Sequence, residues 1–226
     1  MNSFLLIGQS NAAGRGIISE AEPLNNNKLF ILRNGKWQSM FRPINPDRSF
    51  SGVSLAETFS RLYADKYNVD VGIIPCADGN TSISEWQEGG VLFDNAVNNA
   101  KLAMRSSTLT GIIWHQGEAD CGESNYPFYE ERLTIMMSRL KNCLGVEDIP
   151  VIIGGLGEFL PDCPASNNLK NYNFINDALK NYAKKTPNCA FVSSSGLTSN
   201  ADNLHFNSNS LKEFGKRYFE AFESLK

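Results

Sequence analysis

Short apolar runs alternate along the chain with longer stretches in which apolar side chains return every three or four positions. The runs cover residues 4–7, 71–74, 110–114, 150–153 and 190–192; without polar alternation, they predict strands buried on both faces. Between them, Leu55, Phe59, Leu62 and Tyr63 share one face of a helix predicted over 55–67, with Ser54 and Glu57 spaced as a capping box. Further helices are predicted over about 93–104, over 127–143 with Pro127 opening the first turn, and over 169–184. A last helix runs to about residue 224 with Ser208 as its cap. Residues 17–50 are loop-rich, broken by Pro23, Pro43 and Pro46, and hold a small strand pair around Asn34-Gly35.

Strand–helix alternation of this kind predicts a three-layer α/β/α sandwich of flavodoxin-like size, with right-handed crossovers and a central parallel sheet of about five strands. The 226 residues read as one domain, 1–226, without repeats or linkers. In a parallel sheet the polar, Gly-rich loops after the strands all emerge at the carboxyl edge, where ligands gather.

A net charge of −3 gives no basic footprint for nucleic acid, and no apolar run reaches membrane-spanning length. No signal peptide is visible, and the five cysteines are an odd, widely spaced set without a CxxC pair. Free thiols and a cytoplasmic, reducing setting are the expectation. With two histidines and no paired cysteines, neither a metal nor another cofactor is expected.

Chemistry concentrates at the predicted strand ends. Ser10 follows the first strand in Gly8-Gln9-Ser10-Asn11, and His205 lies in Asp202-Asn203-Leu204-His205 before the last helix. An acyl-transfer site needs a serine, a histidine near its hydroxyl and a carboxylate on the other imidazole nitrogen. Asp-x-x-His alone also reads as a capping aspartate beside a surface histidine. His115 reads as a histidine packed at a strand end. Gln116 is a neutral amide at the same end, suited to a developing oxyanion. Glu118 and Asp120 are an alternative carboxylate pair for glycoside cleavage. No Walker A, GxGxxG, HExxH or GxSxG motif occurs.

Together these residues resemble the SGNH (GDSL-like) hydrolase superfamily, in particular its carbohydrate-esterase branch of sialate O-acetylesterases and family-6 acetylxylan esterases. Residues 7–14 are similar to that branch's GQSNMAG block, and 76–83 with Trp86 to its second block. Residues 114–120 are similar to its WHQGExD block, and Asp202 with His205 to its final Asp-x-x-His. The blocks stand in family order across nearly the whole chain. The resemblance implies a three-layer fold and Ser10 as nucleophile, His205 as general base and Asp202 as its orienting carboxylate. It implies an oxyanion hole from the Ser10 N–H, a main-chain N–H of Gly79 or Asn80, and the Gln116 side chain. Asn80 stands where the family has a second glycine.

The resemblance makes Glu118 a brace for the loops near the nucleophile, with Gln9, Asn11 and His115 beside it. Trp86 and Trp37 are candidate sugar-stacking surfaces, although packing is the commoner role of a lone tryptophan. The implied reaction removes an O-acetyl group from a carbohydrate, a small-molecule or oligosaccharide acetyl ester of sialic acid or xylan, through an acetyl-serine. On this reading Gln116→Ala is folded but badly impaired. A carbohydrate-binding module without turnover and a glycosidase on Glu118 and Asp120 are the alternatives.

Overall fold

A computed structural model describes residues 1–226. Its strands are β1 (Asn2–Gly8), β2 (Leu29–Arg33), β3 (Lys36–Ser39), β4 (Val71–Pro75), β5 (Thr108–His115), β6 (Val151–Gly154) and β7 (Cys189–Val192). They form one seven-stranded sheet in the order β3-β2-β4-β1-β5-β6-β7, parallel except for β3. The helices are α1 (Ser10–Ala13), α2 (Leu55–Tyr67), α3 (Val91–Ala103), α4 (Tyr129–Leu144), α5 (Tyr172–Lys185) and α6 (Ser208–Glu223).

The unbroken apolar runs serve two cores at once. In β1, Phe4 and Leu6 join a cluster with Phe59 of α2 and Phe214 of α6 on one face of the sheet. Leu5 and Ile7 join the other cluster, with Ala96 of α3, Leu133 of α4 and Leu179 of α5. These β1 side chains are fully buried, which is the expected environment of a central parallel strand. The capping box predicted for α2 forms, with Ser54 Oγ accepting from Ala56 N and Glu57 Oε1 accepting from Ser54 N.

Two features differ from the expectation. The pair around Asn34-Gly35 is the edge of the sheet, which therefore has seven strands and not five. Leu29 and Ile31, 1% and 0% exposed, find burial only by pairing β2 alongside β4, because a lone hairpin has no second layer to cover them. Asn34 and Gly35 both take positive φ, as a tight hairpin turn requires. The cap of α6 is Asn207, whose Oδ1 accepts from Ser210 N, while Ser208 is the first helical residue and donates to Ile17 O.

Chain connections leave β1 toward β2, β3 and β4 on one side, and β5, β6 and β7 continue on the other. The carboxyl end of β1 therefore sits where the sheet order reverses, the usual crevice for a ligand in an open α/β sheet.

Candidate active site

β1 ends at Gly8, whose φ is +126° and whose added Cβ would lie 2.1 Å from His115 O. Only glycine allows the two strand ends to run so close, and this contact sets residues 9–11 beside residues 115–118. The one-turn α1 follows, with Gln9 at its N-cap and Ser10 at its first position.

Ser10 Oγ lies 3.0 Å from His205 Nε2, and His205 Nδ1 lies 2.7 Å from Asp202 Oδ2. Asp202 Oδ1 accepts from the main-chain N–H groups of Leu204 and His205 at 2.9 and 3.0 Å, so the carboxylate is fixed within its own turn. Burial by itself would raise the Asp202 carboxyl, but those N–H groups and the imidazole outweigh it and hold the carboxyl below its ordinary range. Asn203, at φ +50°, supplies the left-handed step that closes the turn. Asn11 ties this loop to the nucleophile segment: its Oδ1 accepts from Phe206 N at 3.0 Å and its Nδ2 donates to Leu204 O at 3.2 Å. Hydroxyl, imidazole and carboxylate stand in the order that acyl transfer requires.

The two glutamines are held differently from the expectation that Gln116 presents its amide to the cavity. Gln116 is fully buried and its Nε2 donates to Thr81 O at 2.8 Å and Asp120 Oδ2 at 2.7 Å, away from the cavity. Gln9 lines the cavity beside Ser10, and its Oε1 accepts from Gly117 N, Gln116 Nε2 and Ala119 N at 3.2, 3.2 and 3.4 Å. That leaves Gln9 Nε2 with no partner in the protein. Three acceptor contacts fix which end of the amide is oxygen, so the free end is the donor. Gln116 is turned from the cavity because Asp120, a buried acceptor four residues beyond it, and Thr81 O hold its amide.

Of the two second-block candidates, Gly79 N donates to Asp47 Oδ2 at 2.8 Å, whereas Asn80 N has no partner in the protein. Asn80 does adopt the left-handed region, φ +62°, which asparagine tolerates better than most residues. Ser10 N is likewise unbonded. Three donors without protein partners, Ser10 N, Asn80 N and Gln9 Nε2, therefore belong to residues that line one cavity.

Several other residues stand behind the site. His115 is buried, with Nδ1 3.3 Å from Tyr218 Oη and Nε2 3.5 Å from Glu118 Oε1, between the rings of Phe206 and Phe214. Glu118 accepts from Asn11 Nδ2 at 2.5 Å. Asp120 is fully buried and accepts from Ile83 N and Gln116, so the Glu118–Asp120 pair does not flank a common cavity. Trp86 is 1% exposed, packed edge-on against Trp114 with Nε1 on Thr81 Oγ1. Trp37 covers Gly72 at the sheet edge and donates to Ser106. Neither tryptophan reaches the cavity.

The cavity over Ser10 and His205 has a volume of about 460 Å³. Phe50, which sequence reasoning missed, lines it and is 67% exposed. Asp47, Arg15 and Asn45 were missed as well. Asn45 and Asp47 lie in a loop without periodicity or motif, and Arg15 follows the nucleophile block with nothing local to name its partner. No cluster of three or more His, Cys, Asp or Glu side chains suited to a metal occurs, and all five cysteines are free thiols.

A three-layer sandwich with serine, histidine and aspartate aligned at the carboxyl edge of its sheet is the architecture of an SGNH (GDSL-like) hydrolase. The chain belongs to the family described as carbohydrate esterase, sialic acid-specific acetylesterase, whose model matches residues 1–224, and it is an esterase. The probable carbohydrate esterase At4g34215 of Arabidopsis thaliana is 23% identical over 248 residues, covering 98% of this chain and 90% of its own length. The X-ray structure of that protein superposes with a TM-score of 0.89 at 22% identity, over 99% of this chain and 98% of its own. NanS superposes with a TM-score of 0.80 at 16% identity, over 98% and 96% of the two chains. XAC1771, a carbohydrate acetylesterase from Xanthomonas citri, gives 0.74 at 16% identity, over 99% of this chain and 56% of its own.

Proposed function

We propose that this esterase removes O-acetyl groups from a carbohydrate through an acetyl-serine on Ser10. The observation that carries the reading is the unbroken line from Ser10 Oγ to His205 Nε2, and from His205 Nδ1 to Asp202, at 3.0 and 2.7 Å. His205 takes the Ser10 proton as the hydroxyl attacks the ester carbonyl, and Asp202 steadies the imidazolium that forms. The oxyanion is received by Ser10 N, Asn80 N and Gln9 Nε2, all free to donate. The imidazolium then protonates the departing sugar oxygen, and water attacks the acetyl-serine by the reverse proton path.

Phe50 offers an apolar face at the cavity mouth for the C–H side of a pyranose ring, and Asn125, Ser166 and Asn168 offer neutral hydrogen-bonding groups. Arg15 and Arg48, which also line the cavity, are already paired with Asp47 and Asp78. Hydrolysis of p-nitrophenyl acetate by the wild type, lost in Ser10→Ala together with the acetyl adduct seen by mass spectrometry, is the expected result. Turnover retained by a folded Ser10→Ala protein refutes the assignment. Parallel assays on O-acetylated sialic acids and acetylated xylo-oligosaccharides then assign the sugar.

A further inference from the structure

We infer that Asp47 is a positioning residue for the oxyanion site, holding the Gly79 N–H so that the neighbouring Asn80 N–H is left for the reacting carbonyl. This rests on the esterase reading given above.

The loop before α2 is zipped to the loop after β4 residue by residue. Asn45 exchanges two hydrogen bonds with Ala77, its Oδ1 accepting from Ala77 N and its Nδ2 donating to Ala77 O, both at 2.9 Å. Two residues on, Asp47 Oδ2 accepts from Gly79 N at 2.8 Å, and Arg48 Nη2 donates to Gly79 O at 2.9 Å. Both main-chain groups of Gly79 are thus bonded from the 45–48 segment, and the next residue along is Asn80.

Asp47 is itself held from the nucleophile side. Arg15, five residues after Ser10, grips both carboxylate oxygens, Nη1 to Oδ1 at 2.9 Å and Nη2 to Oδ2 at 2.6 Å, and donates to Gly14 O as well. Ser51 Oγ donates to Oδ1 at 2.7 Å. The Arg15 and Asp47 side chains are each 4% exposed, so this is an interior joint and not a surface pair. One carboxylate oxygen therefore bridges the segment that carries Ser10 and the loop that carries Asn80. A Cβ on Gly79 would lie 2.7 Å from Arg15 Nη2, 2.9 Å from Asp47 Oδ2 and 3.5 Å from Ser10 Cβ, which is how close the joint stands to the serine. The carboxyl is held below its ordinary range by Arg15, Ser51 and Gly79 N, against the effect of burial, so it meets Arg15 as an anion.

The test is kinetic and spectroscopic. Asp47→Asn keeps one acceptor oxygen but loses the charge that locks Arg15; it should lower kcat for p-nitrophenyl acetate about tenfold, and Asp47→Ala about a hundredfold, with KM within about threefold of wild type. The inhibition constant of a boronic acid, which forms a tetrahedral adduct on serine, should rise by the same factor as kcat/KM falls. A role in folding alone would lower the melting temperature and leave both quantities unchanged per titrated active site. On the wild type, boronate binding should move the amide proton of Asn80 downfield and leave that of Gly79 in place, a readout that needs no variant to fold. An active wild type with Asp47→Asn at wild-type kcat, or with Gly79 as the shifted amide, overturns the inference alone. An inactive wild type overturns the esterase reading and this inference with it.

Discussion

Truncating Gln9 to alanine removes an amide with two separate duties, and the geometry assigns a magnitude to each. Its Oε1 accepts three N–H groups at 3.2 to 3.4 Å, longer than the usual 2.9–3.0 Å, so losing it costs stability only about 1–2 kcal/mol. Its Nε2 has no protein partner, and as an oxyanion donor it would account for about 100- to 1000-fold in kcat, or about 2.7–4 kcal/mol of transition-state binding. Gln116→Ala should behave in the opposite way. It removes two short buried bonds, to Thr81 O at 2.8 Å and to Asp120 Oδ2 at 2.7 Å, and leaves a fully buried carboxylate with one N–H donor. The loss of a bond to a charged group and the cavity left behind should cost about 3 kcal/mol or more of stability. Thermal melts and p-nitrophenyl acetate kinetics on both variants read the two effects side by side. The expected pattern is a Gln9→Ala enzyme that melts near wild type with kcat down at least a hundredfold, and a Gln116→Ala enzyme that melts early. Gln9→Ala within tenfold of wild-type kcat, or Gln116→Ala inactive but as stable as wild type, refutes the reasoning and returns the donor to Gln116.

Phe50→Ala should raise KM for an acetylated sugar by about two- to tenfold, the equivalent of about 0.5–1.5 kcal/mol of stacking, and leave p-nitrophenyl acetate turnover unchanged. Equal effects on both substrates would remove Phe50 from sugar recognition. In Glu118, burial alone would raise the carboxyl, but His115 and Asn11 outweigh it and hold the group below its ordinary 4.5. A carboxyl lowered in the fold adds stability above its ordinary pKa and loses it as the pH falls through the folded value. Glu118→Gln should therefore flatten the fall in melting temperature below about pH 4.5, and an unchanged acid slope would sink that role.

Much of the molecule is written locally in the chain. The run at 4–7 is read as a buried strand from its shortness, its unbroken apolar character and the Gly8 turn that ends it. The Ser54–Glu57 box likewise announces the start of α2, since both of its hydrogen bonds close within one turn. Asp202 and His205 are of the same kind: the carboxylate, its two main-chain donors and the imidazole lie within four residues, so the turn carries its own geometry.

Other features depend on neighbours far away in sequence. Nothing local tells the β2–β3 hairpin that it will pair with β4, because that pairing depends on where α2 leaves the chain. Gln9 and Gln116 are both glutamines at strand ends next to glycine, and no sequence pattern separates their roles. Their partners do: Asp120 and Thr81 take the amide of Gln116, and Gly117 and Ala119 take the oxygen of Gln9, leaving its donor free. Asp47 was invisible for the same reason, being a lone acid in a proline-broken loop until Arg15 and Gly79 close on it from 32 residues away on either side. The sequence by itself determined the buried strand runs and the cap of α2, through short-range periodicity and a single turn, and singled out Ser10, His205 and Asp202 through its resemblance to a known family. Only the tertiary structure decided which donors face the serine, because a buried amide is satisfied by whichever acceptor the fold brings within reach.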